Sequence, residues 1–236
     1  MKRLLLLSNS TTPNGGYLGH AMETITDFLG AGVTEVLLVP YAAVTESYDE
    51  YTSRTRQRFL ASGYQLTSIH ECPKPIQAVG NAQAIAIGGG NSFHLLRCLY
   101  EANILQGIRE RVNFGMPYIG WSAGANVACP TIKTTNDMPV VWPPNPEALH
   151  LVPFQINPHY VDANPPEFRG ETRAQRINEF TYLNPNVYVI GLPEGAMIRI
   201  EGSTVQLLGS ETAMVFSSDV EPAAYHSLEF LQGLLR

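Results

Sequence analysis

The sequence predicts an α/β fold in which a mostly parallel sheet is covered by helices on both faces. Three observations carry this. Strand-length apolar runs alternate with helix-spaced segments from residue 4 to residue 129, the βαβα rhythm of a parallel sheet. Glycine or proline punctuates many of the junctions. The 236 residues, 44% of them apolar, suffice for one sizeable core, so a single domain over 1–236 is expected.

Taken in order, Leu4-Leu5-Leu6-Leu7-Ser8 is the first strand. Behind Met1-Lys2-Arg3 it superficially resembles a signal peptide, but the apolar stretch is too short and Ser8-Asn9-Ser10-Thr11 closes it at once. Residues 17–29 show helical spacing and end at Gly30; 35–39 form a second strand stopped by Pro40. A polar helix over 49–61 ends at Gly63 and leads to a strand at 65–69. Residues 82–87 form the fourth strand, followed by Gly88-Gly89-Gly90 and a helix over 92–100. A helix over 104–114, a fifth strand at 118–121 and a short helix over 123–129 complete the regular half. The rhythm then breaks. Nine prolines between 130 and 170 exclude long helices, while Trp142, Leu149, Val152 and Phe154 favour an ordered, partly β insertion. A helix resumes over 173–183. Strands at 187–191, 197–201, 205–208 and 213–216 follow, several of them antiparallel through turns at Gly202 and Gly209, and a helix closes the chain over 228–235.

Composition narrows the function. A net charge of −6 argues against nucleic acid or an anionic membrane as partner. No run approaches the length of a membrane span. Three cysteines, Cys72, Cys98 and Cys129, with no C-x-x-C, predict a reduced, cytoplasmic protein without a structural zinc site.

The chemistry is concentrated at Gly120-Trp121-Ser122-Ala123-Gly124, directly behind the apolar Pro117-Tyr118-Ile119. Glycines on both sides of a serine permit a sharp strand-to-helix turn that lifts the hydroxyl off the sheet edge. Ser122 is thereby a candidate nucleophile, or else an ordinary helix N-cap. A serine hydroxyl needs a base, an acid behind the base, and donors for the oxyanion. Among six histidines, His159 in Asn157-Pro158-His159-Tyr160 stands ahead of His150, because Pro158 stiffens the loop that carries it. Asp137, Glu194 and, more weakly, Asp162 are candidates for the acid. Glu194, in Leu192-Pro193-Glu194-Gly195, falls at the carboxyl end of a predicted strand. The N–H of Ala123 and those of the Gly88-Gly89-Gly90-Asn91 loop, Gly89 and Gly90 above all, are the candidate oxyanion donors. A phosphate cradle is the weaker reading of that loop, since no G-x-G-x-x-G or Walker Gly-Lys-Ser/Thr is present.

With Gly88-Gly89-Gly90-Asn91, Gly120-Trp121-Ser122-Ala123-Gly124-Ala125, Asn157-Pro158-His159 and Arg173-x-x-Arg176-Ile177 in this order, nearly the whole chain resembles the peptidase E family, which also includes cyanophycinases. The resemblance implies a three-layer flavodoxin-like sandwich related to class I glutamine amidotransferases, with serine in place of their cysteine on the strand-to-helix elbow. It implies Ser122 as nucleophile and His159 as base, and leaves Asp137 and Glu194 both open as the acid. It implies a serine-type dipeptidase that releases aspartate from Asp-X dipeptides, with no metal or cofactor. The aspartyl carboxylate would suit a guanidinium fork. Arg173 and Arg176, three apart on one helix face, are the candidates, with Arg173 ahead; surface pairing with Glu171, Glu179 or Glu167 is the alternative. Asn91 and the proline-rich insertion are expected pocket walls. The expected partner is a small acidic dipeptide and the expected assembly a monomer or homodimer. A relative cleaving β-aspartyl or other acidic peptides, an esterase with the same triad, and a non-catalytic binding module are the competing readings.

Overall fold

The leucine run at the start sets the layers. In β1 (Arg3–Leu7) Leu4 and Leu6 enter one buried cluster while Leu5 and Leu7 enter another. Side chains alternate across a strand, so a strand apolar at every position is one covered on both faces. The computed structural model describes residues 1–13, 15–161, 169–210, 212–218 and 220–235.

A small hairpin, β2 (Thr11–Thr12) and β3 (Gly16–Tyr17), follows, then α1 (Met22–Leu29), β4 (Glu35–Val39), α2 (Tyr48–Ala61) and β5 (Gln65–Ser68). Next come α3 (Pro75–Asn81), β6 (Ile85–Ile87), α4 (Ser92–Glu101), α5 (Leu105–Asn113), β7 (Tyr118–Trp121) and the single-turn α6 (Ala123–Asn126). The second half holds β8 (Gln155–Pro158), α7 (Arg173–Leu183), β9 (Val189–Leu192), β10 (Met197–Glu201), β11 (Thr204–Leu208), β12 (Ala213–Phe216) and β13 (Ala223–Tyr225).

The central sheet runs β11-β10-β1-β7-β6-β4-β5. Its five strands from β1 to β5 are mutually parallel, and β10 and β11 extend it antiparallel. Helices on both sides complete a three-layer α/β sandwich of the expected class. A second sheet, β13-β12-β9-β8, stands beside it, with β8 and β9 parallel.

Several local expectations shift. The helix expected over 17–29 begins at Met22, because Tyr17 belongs to the hairpin and Leu18 turns at φ 54°. Helix α3 was not expected; its starting signal, Pro75 at the first turn, is present, but a single buried residue, Val79, gives no period to read. The final segment is a 3₁₀ helix, Glu229–Leu234, with Gly233 inside it. Gly202 closes the β10–β11 hairpin as expected, at φ 63°. Gly209 does not close another: it releases the chain to the second sheet, where β12 pairs with β9. The proline-rich insertion holds no helix between 130 and 154, yet buries Ile132, Leu149, Leu151, Val152 and Phe154. Among the described residues no helix is long and apolar enough to cross a membrane.

Candidate active site

Strand register assembles the site. β7 lies between β1 and β6, with Trp121 beside Leu7 and Gly120 beside Ile87. Ser8, Gly88 and Ser122 therefore leave three adjacent parallel strands at one carboxyl edge, where α/β sheets carry their sites. Ser122 has φ 53° and ψ −112°, a conformation that costs a non-glycine residue on the order of 1–3 kcal/mol. Its surroundings enforce it. Ser122 N donates to Leu7 O at 3.0 Å and its carbonyl accepts from Ala125 and Asn126. A Cβ on Gly124 would lie 2.0 Å from Ile87 O, and one on Gly120 2.4 Å from Gly124 O, so the elbow closes only with glycine at both ends. The Ser122 side chain makes no cap bond to α6, so the hydroxyl is not spent as an N-cap.

It is spent on His159. His159 Nε2 lies 2.8 Å from Ser122 Oγ, and His159 Nδ1 lies 3.2 Å from Glu194 Oε1. The second sheet creates this line. β8 and β9 are parallel with Pro158 opposite Leu192, so His159 and Glu194 both lie just beyond the ends of neighbouring strands. His159 sits at φ 54°, with its N–H held by Ser8 Oγ at 2.8 Å and its carbonyl accepting from Arg173 Nη1. The Glu194 side chain is 56% exposed and that of His159 37%, so water screens this pair.

Asp137 is elsewhere. Its Oδ2 accepts from Ser92 N at 2.7 Å and from Thr135 Oγ1 at 3.0 Å, which places the carboxylate on the first turn of α4. There it satisfies an orphan helix N–H and meets the positive end of the helix dipole. The expectation that it shares the acid position is corrected on this ground. Asp162 and Glu167 lie outside the described residues. His150, the other candidate base, pairs with Glu147.

The glycine loop lies against Ser122: a Cβ on Gly89 would stand 2.9 Å from Ser122 Cβ. Gly90 turns at φ 141° against Ala42. Among the described residues no acceptor takes the N–H of Gly89, Gly90 or Ala123. Asn91, expected as a pocket wall, has structural partners at both ends of its amide. Its Oδ1 accepts from His94 N at 3.0 Å as the cap of α4, and its Nδ2 donates to Met138 O at 2.8 Å. Behind the loop, Trp121 Nε1 donates to the buried Tyr51 hydroxyl at 2.9 Å, and a Cβ on Gly88 would collide with that hydroxyl.

The two arginines separate. Arg173 reaches His159, and burial lowers its pKa, opposed by the nearby Tyr160 and Glu194. Arg176 is exposed and pairs with Glu171 at 3.8 Å, the surface alternative. Cys129 is wholly buried, and its thiol is pushed far up by burial. Among the described residues one group has metal-ligand spacing, Asp49, His70 and Glu71, with ligand atoms within 4.8 Å of one another. Its groups are already engaged, His70 with Asp49 at 2.9 Å and Glu71 with Arg56 at 2.7 Å.

Sequence reasoning missed Ser8 and Asn9. A serine and an asparagine behind an apolar run read as strand terminators, and nothing local marks them as partners of His159 and Gly195.

Comparison with known proteins shows the family and the fold. A model of peptidase family S51 matches residues 4–208. Peptidase E of Nostoc sp. is 49% identical over 234 residues, covering 99% of this chain and 97% of that relative. Peptidase E of Salmonella typhimurium is 46% identical over 221 residues, 94% of this chain and 96% of its own. In fold, the chain is similar to a peptidase from an acI-B1 actinobacterium, with a TM-score of 0.67 at 18% identity over 97% of this chain and 95% of that one. A peptidase E candidate from Listeria monocytogenes superposes with a TM-score of 0.65 at 23% identity, over 89% and 99% of the two chains.

Proposed function

The chain belongs to peptidase family S51 and is a serine peptidase, and from that premise we propose that it hydrolyses Asp-X dipeptides, releasing N-terminal aspartate through an acyl-enzyme. The observation that carries the reading is the hydrogen-bonded line from Ser122 through His159 to Glu194, on an elbow strained to present the serine.

In this reading His159 Nε2 takes the Ser122 proton as Oγ attacks the scissile carbonyl. The N–H groups of Gly89 and Ala123 receive the oxyanion, with Gly90 completing the loop; their lack of protein acceptors among the described residues supports this role. Glu194 fixes the tautomer of His159 and stabilises the imidazolium. His159 then protonates the leaving amine, and water, deprotonated by the same nitrogen, releases aspartate. Arg173 offers its guanidinium to the aspartyl carboxylate beside the His159 carbonyl it already holds. The chemistry draws on side chains and backbone dipoles alone. Cytoplasmic work fits three cysteines that form no disulfide, and a monomer or homodimer is the assembly proposed.

The test is a dipeptide panel with Ser122→Ala. The variant is expected to lose roughly 10³-fold or more in kcat with its fold intact. A near-normal rate overturns the serine mechanism. Efficient cleavage of Glu-X, or of β-linked Asp-X, overturns the α-aspartyl specificity while leaving the mechanism standing.

A further inference from the structure

The proposed triad joins two separately built sheets. The central sheet carries Ser122 at the end of β7, and the second carries His159 and Glu194 beyond β8 and β9. A reacting group displaced by about 1 Å costs on the order of 10²-fold in rate, so the two edges must be fixed against each other. The residues just beyond β1 stand at that junction. Ser8 is fully buried; its Oγ accepts from His159 N at 2.8 Å and donates to Leu192 O at 2.9 Å. Its own N–H donates to Ala196 O at 2.9 Å. Asn9, also buried, accepts through Oδ1 from Gly195 N at 2.8 Å and donates through Nδ2 to Thr11 O at 2.7 Å. The preceding residue, Leu7, accepts from Ser122 N. Three consecutive residues thus touch the backbone of the nucleophile, of the base, and of the residue following the acid.

We infer that Ser8 is a positioning residue for the acyl transfer, with Asn9 as its companion on the Glu194 side. The inference rests on the proposed roles of Ser122, His159 and Glu194. Its physical basis is the two-sided chemistry of the hydroxyl, which donates and accepts at once. One buried oxygen therefore ties the β9 carbonyl of Leu192 to the N–H of His159. That N–H belongs to a residue in the left-handed region, where the backbone stays only if its neighbours hold it. Alanine at position 8 removes the acceptor of the His159 N–H, leaves Leu192 O with only its bond from Tyr160 N at 3.0 Å, and lets the His159 peptide turn, which swings Nε2 away from Ser122 Oγ. Substrate contacts are not made by Ser8, so the loss falls on the chemical step rather than on binding.

The experiment compares wild type, Ser8→Ala, Ser8→Thr and Asn9→Ala in Asp-X hydrolysis and in labelling of Ser122 by a fluorophosphonate, with folding checked by thermal melts. Ser8→Ala is expected to lower kcat on the order of 10- to 100-fold, to keep KM within about twofold, and to slow labelling in proportion. Ser8→Thr restores the hydroxyl and is expected to recover kcat to within about threefold of wild type, even where its extra methyl lowers the melting temperature. A Ser8→Ala enzyme with wild-type kcat and only a lower melting temperature overturns the inference, as does a Ser8→Thr enzyme no faster than Ser8→Ala. Where Ser8→Ala does not fold at the assay temperature, Asn9→Ala decides: a kcat loss at constant KM supports the stitch, and an unchanged kcat refutes it. Wild type that neither labels nor cleaves refutes the proposed function itself. Equal labelling of wild type and Ser8→Ala refutes the positioning role alone.

Discussion

Glu194→Gln and Asp137→Asn, measured side by side, decide which carboxylate serves His159. Glutamine keeps an oxygen that accepts from His159 Nδ1–H, so the tautomer survives and only the charge is lost. Unit charges 3.2 Å apart interact by about 1.3 kcal/mol at the dielectric of water and about 5 kcal/mol at an effective value near 20. The Glu194 side chain is 56% exposed and the His159 side chain 37%, which puts the pair toward the screened end. A stabilisation of about 1.5–3 kcal/mol corresponds to a loss of about 10- to 150-fold in kcat. This is well short of the ~10⁴-fold penalty seen when a buried triad acid is neutralised and the tautomer inverts. Asp137→Asn keeps an acceptor for Ser92 N and loses a charge at the N-terminus of α4, worth roughly 0.3–1 kcal/mol of stability. Its kcat is expected within about threefold of wild type, with a slightly lower melting temperature. The assay is steady-state release of the leaving amino acid from an Asp-X dipeptide, with folded fractions matched by thermal melts. A 100-fold loss in Asp137→Asn, alongside a near-normal Glu194→Gln, refutes the reasoning.

Other outcomes follow from the same structure. Gly89→Ala puts a Cβ 2.9 Å from Ser122 Cβ, so the loop and elbow must part; kcat is expected to fall roughly 10²-fold, read in the same assay. Arg173→Ala is expected to lower kcat/KM for Asp-X roughly 10- to 100-fold, while Arg176→Ala, whose pair with Glu171 is exposed, stays within about twofold. Burial lowers the pKa of His20 and of His94, for which repulsion by Arg97 adds to the effect. The unfolded chain then binds protons that the folded one refuses. Stability is full above the unfolded value near ~6.5, falls as pH drops through it, and levels off below the folded values. Melting temperatures at pH 7.5 and 5.5 check the sign, and His20→Leu is expected to flatten part of the slope.

What the sequence made legible, and what it did not, follows from the range of the interactions concerned. The elbow is local: Gly120, Ser122 and Gly124 are neighbours, and the clashes a Cβ would meet there involve the same turn and the adjoining strand. Four of the five parallel strands are legible for a similar reason, since β1, β4, β6 and β7 each bury their own apolar run. The carboxylate partner of His159 is not local. Asp137 and Glu194 are both acidic residues in short loops after Ser122, and nothing in either loop says which one His159 meets. The choice is made by the register of β8 on β9, Pro158 opposite Leu192, and by Ser92, whose N–H claims Asp137 from 45 positions away. The fate of Gly209 is likewise set by pairing far from it in the chain. A glycine at φ 73° suits a hairpin as well as a crossing, and only the pairing of β12 with β9 distinguishes them. The geometry of the Ser122–His159–Glu194 line is therefore specified less by the residues that compose it than by the alignment of two strands. A change in that alignment would carry the turn holding Glu194 along β8 and break its 3.2 Å contact with His159. That alignment is held by buried groups such as the Ser8 hydroxyl, which touches both strands at once and carries no signature in the sequence.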